Sequence, residues 1–204
     1  VTATGLSDPE GLSAHKDIAE FYVADTGNHR VLVYNVSTLS NGQAAAKVIG
    51  QADFTSGTAN RGVATGQNTL SAPSAVAYYH HSSDDTQRYL AIADSGNNRV
   101  LIHSKATATA AVWDDGENAV YVLGQKTWAG NATDAEDNTV AGSLCGDEVG
   151  ANVTNACGMD APQGLAWSED HSRLYVGDTE NHRVMIFDTG SITNNEPAAN
   201  VLGQ

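Results

Sequence analysis

The chain has 204 residues, with 10 Lys and Arg against 24 Asp and Glu and a formal net charge of −14. Binding to the phosphates of a nucleic acid requires a basic face, so this balance argues against nucleic-acid binding, and against an anionic membrane surface for the same reason. No run of about 18 apolar residues occurs, and the sequence therefore predicts no transmembrane helix.

The first part of the chain predicts four short strands after Pro9: Gly11–Ala14, Glu20–Ala24, Arg30–Val36 and Ala45–Gly50. The second is β-branched and aromatic, and the third alternates with period two. Strands of this length between Gly, Asn, Asp and Ser clusters are typical of an all-β fold built of meanders. No segment has a sustained apolar period of 3.6 residues, so little helix is predicted.

The polar segment between the second and third strands, DTGNHR, returns later in the chain as DSGNNR and DTENHR. The aligned positions are Asp25, Asp94 and Asp178; Asn28, Asn97 and Asn181; and Arg30, Arg99 and Arg183. One interpretation is a catalytic cluster around the histidine. The other is a structural turn, which we favour because the histidine is replaced by asparagine in the second copy.

We expect each of these segments, called a corner here, to be a tight reversal between two strands. Gly27 and Gly96 are expected to supply a positive φ, and an Asp or Asn to accept backbone N–H groups. Glu180 replaces that glycine in the third corner, which predicts a different geometry or strain there. The arginine is expected to pin the corner through a bidentate bond to a carboxylate.

The repeat is larger than the corner. A proline precedes each copy (Pro9, Pro73 and Pro162), and a Gly-Gln pair follows it, ending at Gln51, Gln125 and Gln204. We therefore divide the chain into unit 1 at 1–51, a linker and unit 2 at 52–125, and a linker and unit 3 at 126–204. The second unit is longer, and its extra stretches, 80–87 and 105–118, are expected to be surface loops.

Tandem four-stranded units are the signature of a β-propeller. The motif YVADTGNHRVLVY with the preceding PEGL resembles the NHL repeat, and the recurring V-[IL]-G-Q resembles a long-spaced bacterial subgroup of it. The triplet departs from Asn-His-Leu, since arginine stands in its third position. The resemblance implies a propeller, commonly six-bladed, used mostly for binding. The fold expected is thus all-β, a propeller segment of three four-stranded blades.

Three blades do not close a ring, and repeat units bury their apolar faces only against neighbours. We expect the chain to be part of a six-bladed ring or of a longer array. Two such pieces would complete a ring, within one chain or by pairing, and open stacking into a filament is the alternative.

The longest linker carries both cysteines, Cys145 and Cys157, twelve positions apart. We interpret them as a disulfide, which is typical of an oxidising compartment; two unrelated thiols are the alternative. Three N-x-S/T sequons, at Asn35, Asn131 and Asn152, are candidate glycosylation sites.

Reaction motifs such as GxSxG, HExxH or a P-loop are absent from the sequence. We therefore predict no catalytic residues and no cofactor. His80 and His81, followed by two aspartates, are interpreted as part of a solvated loop. A loop rich in carboxylates is a weaker candidate for calcium. The calcium candidates are Asp134, Glu136, Asp137, Asp147 and Glu148, with Asp160 nearby.

The function predicted is an extracellular or cell-surface, non-enzymatic scaffold that mediates protein interaction or self-assembly, as a glycosylated surface array or fibre. Its expected partners are other copies or further blades, and a protein or glycan ligand, with no nucleic acid and no membrane insertion. The alternative is a metal-dependent hydrolase or lyase with its site on the axis of a completed six-bladed propeller. The first strand of each unit is nearly devoid of ionisable side chains, which argues against such a site in this segment.

Overall fold

A computed structural model describes residues 1–15, 18–37, 39–80, 87–106, 113–131 and 156–203. The described residues form twelve strands in three separate four-stranded antiparallel sheets and contain no α-helix. In each sheet the strands pair in sequence order, as a meander. The prediction of an all-β chain with three four-stranded units is therefore confirmed.

Sheet 1 consists of β1 (Pro9–Ala14), β2 (Glu20–Asp25), β3 (Arg30–Asn35) and β4 (Lys47–Ile49). These bounds agree with the predicted strands to within about two residues. The register between β2 and β3 is continuous from Glu20 opposite Asn35 to Asp25 opposite Arg30. The strands therefore bring Asp25 and Arg30 to the same end of the hairpin.

Sheet 2 consists of β5 (Pro73–His80), β6 (Gln87–Asp94), β7 (Arg99–Ala106) and β8 (Tyr121–Leu123). The expectation that His80 and Gln87 lie in a surface loop was wrong, as was the same expectation for residue 105. These described residues lengthen the ladder instead, in which His80 lies opposite Arg88, and His80 is buried.

Sheet 3 consists of β9 (Pro162–Trp167), β10 (Arg173–Asp178), β11 (Arg183–Asp188) and β12 (Asn200–Leu202). Burial alternates strictly along β10 and β11, so that one face is covered and the other is half-exposed. This pattern is expected of a sheet that packs against a neighbour on one side only.

The three sheets pack against one another through apolar side chains. One cluster joins sheets 1 and 2 and includes Tyr22 and Ile92, and a second joins sheets 2 and 3 and includes Ile102 and Phe187. Strand β5 is buried along its whole length and contacts β1 on one side and β9 on the other. Because each buried side chain of this size contributes about 1.5–3 kcal/mol, these two interfaces are the main source of stability.

Candidate functional site: the repeated corners

The second corner joins β6 to β7 and is centred on the carboxylate of Asp94. Its Oδ1 accepts the backbone N–H of Ser71 at 2.7 Å. Its Oδ2 accepts Nδ2 of Asn97 at 2.8 Å and Nε of Arg99 at 2.7 Å. Both Asp94 and Arg99 are 0% exposed. The residues that the sequence aligned are thus brought into one buried hydrogen-bonded group.

The remaining nitrogens of Arg99 bind backbone carbonyls. Nη1 donates to Trp128 at 2.7 Å, and Nη2 donates to Gly66 at 3.0 Å and to Thr69 at 2.9 Å. The expected bidentate bond was therefore wrong: only Nε reaches the carboxylate, because the other nitrogens donate to three carbonyls on two stretches of backbone. Charge-assisted bonds of this kind offset the cost of burying the ion pair.

The first corner repeats this arrangement. Asp25 accepts the N–H of Ser7 at 2.6 Å, Nδ2 of Asn28 at 3.0 Å and Nε of Arg30 at 2.6 Å. The other nitrogens of Arg30 again donate to carbonyls, and these belong to Thr2, Gly5 and Phe54. The arginine thus ties the chain before β1 to the chain after β4.

The third corner keeps the same central bonds. Asp178 accepts the N–H of Asp160 at 2.7 Å, Nδ2 of Asn181 at 2.9 Å and Nε of Arg183 at 2.7 Å. Nη2 of Arg183 donates to the carbonyl of Gly158 at 2.8 Å. All nine residues that the sequence singled out as corner residues occupy equivalent positions.

The positive φ of the turn lies at a different residue from the one predicted. It belongs to His29 (φ 54°), Asn98 (φ 54°) and His182 (φ 53°). The glycine is required for another reason. A Cβ on Gly27 would lie 2.5 Å from Oγ of Ser7, and one on Gly96 would lie 2.6 Å from Oγ of Ser71.

The third corner differs at Glu180, as its sequence predicted. The first two corners form short 3-10 helices, Thr26–Asn28 and Ser95–Asn97, whereas the third forms a plain turn. The N–H of Glu180 donates to Asp160 at 3.2 Å, and the equivalent bonds from Gly27 and Gly96 measure 2.9 Å. In the corner that carries the Glu180 side chain, the turn therefore lies farther from the backbone that precedes the sheet.

Sequence reasoning missed a second set of residues, which joins each corner to the next sheet. Nδ1 of His29 accepts the N–H of Ala72 at 2.9 Å, and Oγ1 of Thr26 donates to the carbonyl of Pro73 at 2.6 Å. These contacts link sheet 1 to sheet 2. The signal for them was the hydroxyl residue that follows each corner aspartate, at Thr26, Ser95 and Thr179.

The same contacts link sheet 2 to sheet 3. Oδ1 of Asn98 accepts the N–H of Ala161 at 2.9 Å, and Oγ of Ser95 donates to the carbonyl of Pro162 at 2.5 Å. Asparagine therefore replaces histidine in the second corner without loss of the acceptor. This explains why the alternation between histidine and asparagine is tolerated.

The Asp94–Arg99 pair of the second corner is enclosed and fully hydrogen-bonded. Burial raises the pKa of Asp94, and the guanidinium of Arg99 acts in the opposite direction. Each oxygen of that carboxylate already accepts a hydrogen bond, and the ion pair has no contact with solvent. The geometry therefore fits a structural corner that fixes three backbone segments.

The other candidate residues fall largely outside the described part of the chain. Among the described residues, no three His, Cys, Asp or Glu side chains are grouped so as to hold a metal ion. The predicted calcium ligands Asp134, Glu136, Asp137, Asp147 and Glu148 lie outside the described residues.

Cys157 is buried, at 3% exposure, and Cys145 lies outside the described residues, so the disulfide stays a prediction. Of the sequon asparagines, Asn35 and Asn131 are exposed, and Asn152 lies outside the described residues. Glycosylation at these sites stays a prediction as well.

Comparison with protein-family models gives no match, and comparison with curated proteins gives no relative. In the described part of the chain, no helix has the length and apolar character needed to cross a membrane.

Proposed function

We propose that the protein is an extracellular or cell-surface, non-enzymatic scaffold, a segment of an NHL-type propeller that mediates protein interaction or self-assembly. The observation that carries the proposal is an apolar sheet face that is covered in sheets 1 and 2 and uncovered in sheet 3. This face of sheet 3 is called the open face.

The three equivalent faces differ sharply in burial. In sheets 1 and 2 every position of the face is at most 1% exposed. In sheet 3 Leu202 is 56% exposed, although its equivalents Ile49 and Leu123 are fully buried. The aligned positions are Tyr22, Ala24, Val31, Val33 and Ile49; Ala91, Ala93, Val100, Ile102 and Leu123; and Tyr175, Gly177, Val184, Ile186 and Leu202.

An apolar face of this kind is stable only when a partner covers it, because repeat units bury their apolar surface against neighbours. Uncovered apolar patches of soluble proteins mark interaction sites. The open face therefore supports a binding or assembly role. The buried Asp–Asn–Arg groups at the centres of the corners support the same conclusion, since their polar atoms bind one another and the backbone.

Three consecutive meander sheets that pack face to face are consistent with blades of a propeller. The resemblance of the corner segments to the NHL repeat supports this arrangement. A six-bladed ring or a longer array would place a fourth blade on the open face.

The extracellular location rests on the linker cysteines and on the sequons. Asn35 and Asn131 are exposed, as an acceptor of a glycan must be. Intact-mass measurement of the secreted protein before and after glycosidase treatment tests this part: a mass loss supports it, and an unmodified chain with two free thiols contradicts it.

The binding role is tested by site-specific photo-crosslinking in the cells that produce the protein. A photoreactive amino acid replaces Tyr175 on the open face, and a matched control carries it at Leu39, which is 75% exposed on a loop. The proposal predicts covalent protein adducts at position 175 that greatly exceed those at position 39. Equal or absent adducts at position 175 contradict it.

A further inference from the structure

We propose that residues Leu6–Pro9 of one copy, called the docking segment, bind beside the third corner of a second copy, so that sheet 1 of the first copy covers the open face of the second. The inference rests on the proposed function, and it names the partner of the open face as a second copy of this chain.

The contact between sheets 1 and 2 provides the first template. Leu70 packs into the space where a Cβ of Gly50 would lie, and Gly50 has a φ of 88°. Two residues later, the N–H of Ala72 donates to His29, and the carbonyl of Pro73 accepts from Thr26. A short segment thus binds through one apolar knob and two hydrogen bonds.

The contact between sheets 2 and 3 repeats each of these elements. Sδ of Met159 would lie 2.9 Å from a Cβ on Gly124, which has a φ of 86°. The N–H of Ala161 and the carbonyl of Pro162 make the two hydrogen bonds, to Asn98 and Ser95. Leu70 and Met159 are both completely buried.

In the described part of the chain, sheet 3 has the residues equivalent to these two binding surfaces, and Leu202 beside them is 56% exposed. Thr179, His182 and Gly203 line an open depression of the surface, of about 440 Å³, together with Val184 and Leu202. Gly203 has a φ of 95°, like Gly50 and Gly124. Within the described part of the chain, the side chains of Thr179 and His182 make no hydrogen bond. This site is called the end cavity.

The docking segment, which lies beside sheet 1, has the same features as the two segments that bind sheets 1 and 2. Leu6 stands two residues before Asp8, as Leu70 stands before Ala72, and it is 46% exposed. Asp8 has a φ of 48°, against 45° for Ala72 and 47° for Ala161. Its N–H makes no hydrogen bond within the described residues, which leaves it available to His182.

The docking segment is already held in the binding conformation. The N–H of Ser7 donates to Asp25 at 2.6 Å, and its carbonyl accepts the N–H of Gly27 at 2.9 Å. The equivalent residue Ser71 makes both bonds while it docks on sheet 1. Little conformational entropy is therefore lost on binding, which favours association.

The apolar surface next to the docking segment supports the same partner. Leu12 on β1 is 61% exposed, whereas its equivalent Val76 is 5% exposed against sheet 1. Docking would cover Leu6 and Leu12 of one copy and Leu202 of the other. The contact is head to tail, so that it either closes into a ring of copies or continues as a filament.

Sedimentation velocity of the full 204-residue chain tests the proposal. Leu6→Glu places a charge in the docking segment, and Leu202→Glu places one in the end cavity. Both side chains are exposed, so the fold of each sheet is retained. We expect the wild-type chain to form assemblies of two or more copies, and each substitution to weaken association by at least about tenfold. Leu39→Glu is the matched control and leaves association unchanged.

Mixing the two variants separates this contact from a symmetric one. The Leu6→Glu protein keeps an intact end cavity, and the Leu202→Glu protein keeps an intact docking segment. The mixture is expected to form a one-to-one complex that neither variant forms with itself. The proposal is overturned if both variants associate as strongly as the wild type, or if the mixture forms no complex.

The two proposals fail in different ways. A wild-type chain that stays monomeric at about 100 μM, well above a micromolar dissociation constant, overturns the docking proposal. Photo-adducts at position 175 with a different protein would then still support the binding role. Absence of any position-specific adduct overturns the binding role itself.

Discussion

The second and third corners contain the same three residues but differ in what surrounds them. The hydrogen bonds to Asp94 measure 2.7, 2.8 and 2.7 Å, and those to Asp178 measure 2.7, 2.9 and 2.7 Å. Around the second corner, however, the side chain of Asn98 also accepts a hydrogen bond from Ala161, next to sheet 3. The side chain of His182 makes no hydrogen bond within the described residues. The Asp–Asn–Arg bonds of a corner therefore form without a neighbouring sheet, whereas the bonds of its histidine or asparagine side chain require one.

The largest effect is expected from removal of the carboxylate in the second corner. Asp94→Ala leaves the buried guanidinium of Arg99 without its counter-charge, which costs about 3–5 kcal/mol of unfolding free energy. Asp178→Ala is expected to cost slightly less, because the side chain of Arg183 is 2% exposed, against 0% for Arg99. Chemical denaturation measures both, with the exposed Glu10→Ala as the control. Equal losses would mean that the two corners are equally enclosed.

A pH-dependent loss of stability is expected from His103, which lies on sheet 2 where sheet 3 has Phe187. Burial lowers the pKa of His103 to about 3. Below pH 6.5 the unfolded chain therefore binds a proton that the folded chain does not, and stability falls by about 1.4 kcal/mol per pH unit down to about pH 3.

The control for this pH effect is His103→Phe, which places at this position the residue that sheet 3 already uses. Denaturation at pH 7.5 and pH 4.5 should differ by about 3 kcal/mol more in the wild type than in the variant, from the same linkage. Identical pH profiles would contradict the assignment of a neutral buried imidazole.

A smaller loss is expected when the glycine of the second corner receives a side chain. A Cβ on Gly96 would meet the carbonyl oxygen of Ser71 at 2.8 Å, so Gly96→Ala should cost about 1–3 kcal/mol by overpacking. Glu180→Ala is the matched substitution in the third corner and should stay within about 0.5 kcal/mol. Denaturation midpoints compare the two, and a neutral Gly96→Ala would remove the explanation given for the glycine.

The smallest loss is expected at the residue with positive φ. Asn98→Ala places alanine in the left-handed region and leaves the N–H of Ala161 without its acceptor, at about 1–2 kcal/mol. Asn98→His keeps an acceptor, as His29 does, and should be nearly neutral. In the monomer, His182→Ala is expected to cost only the free energy of placing alanine in the left-handed region, because His182 accepts no hydrogen bond from a neighbouring sheet in the described part of the chain. A larger loss at His182 than at Asn98 would reverse the comparison between the corners.

The strands and the corner alignment were predictable because both are local. Alternation with period two located β2 and β3, and the recurring aspartate and arginine gave the pairs that close each hairpin. The lengthened ladder of β5 and β6 was missed, since its polar residues have the composition of a loop. Its alternation was too short to separate a strand from a loop.

The steric reason for Gly96 and the hydrogen-bond partners of Arg99 could not be derived from the sequence, because both depend on backbone that is distant along the chain. Ser71 precedes Gly96 by 25 positions, and Trp128 follows Arg99 by 29. The same holds for the fit of Leu70 over Gly50. Contacts of this range are fixed by packing between sheets, and the sequence around each residue carries no signal for them.

An experimental structure of the assembled protein, by crystallography or electron cryo-microscopy, tests the central claim most directly. The account predicts that the carbonyl of Pro9 in one copy accepts a hydrogen bond of about 2.8 Å from Oγ1 of Thr179 in the next, with Leu6 packed over Gly203. An assembled structure in which the end cavity stays empty, or binds a different surface, would contradict the account.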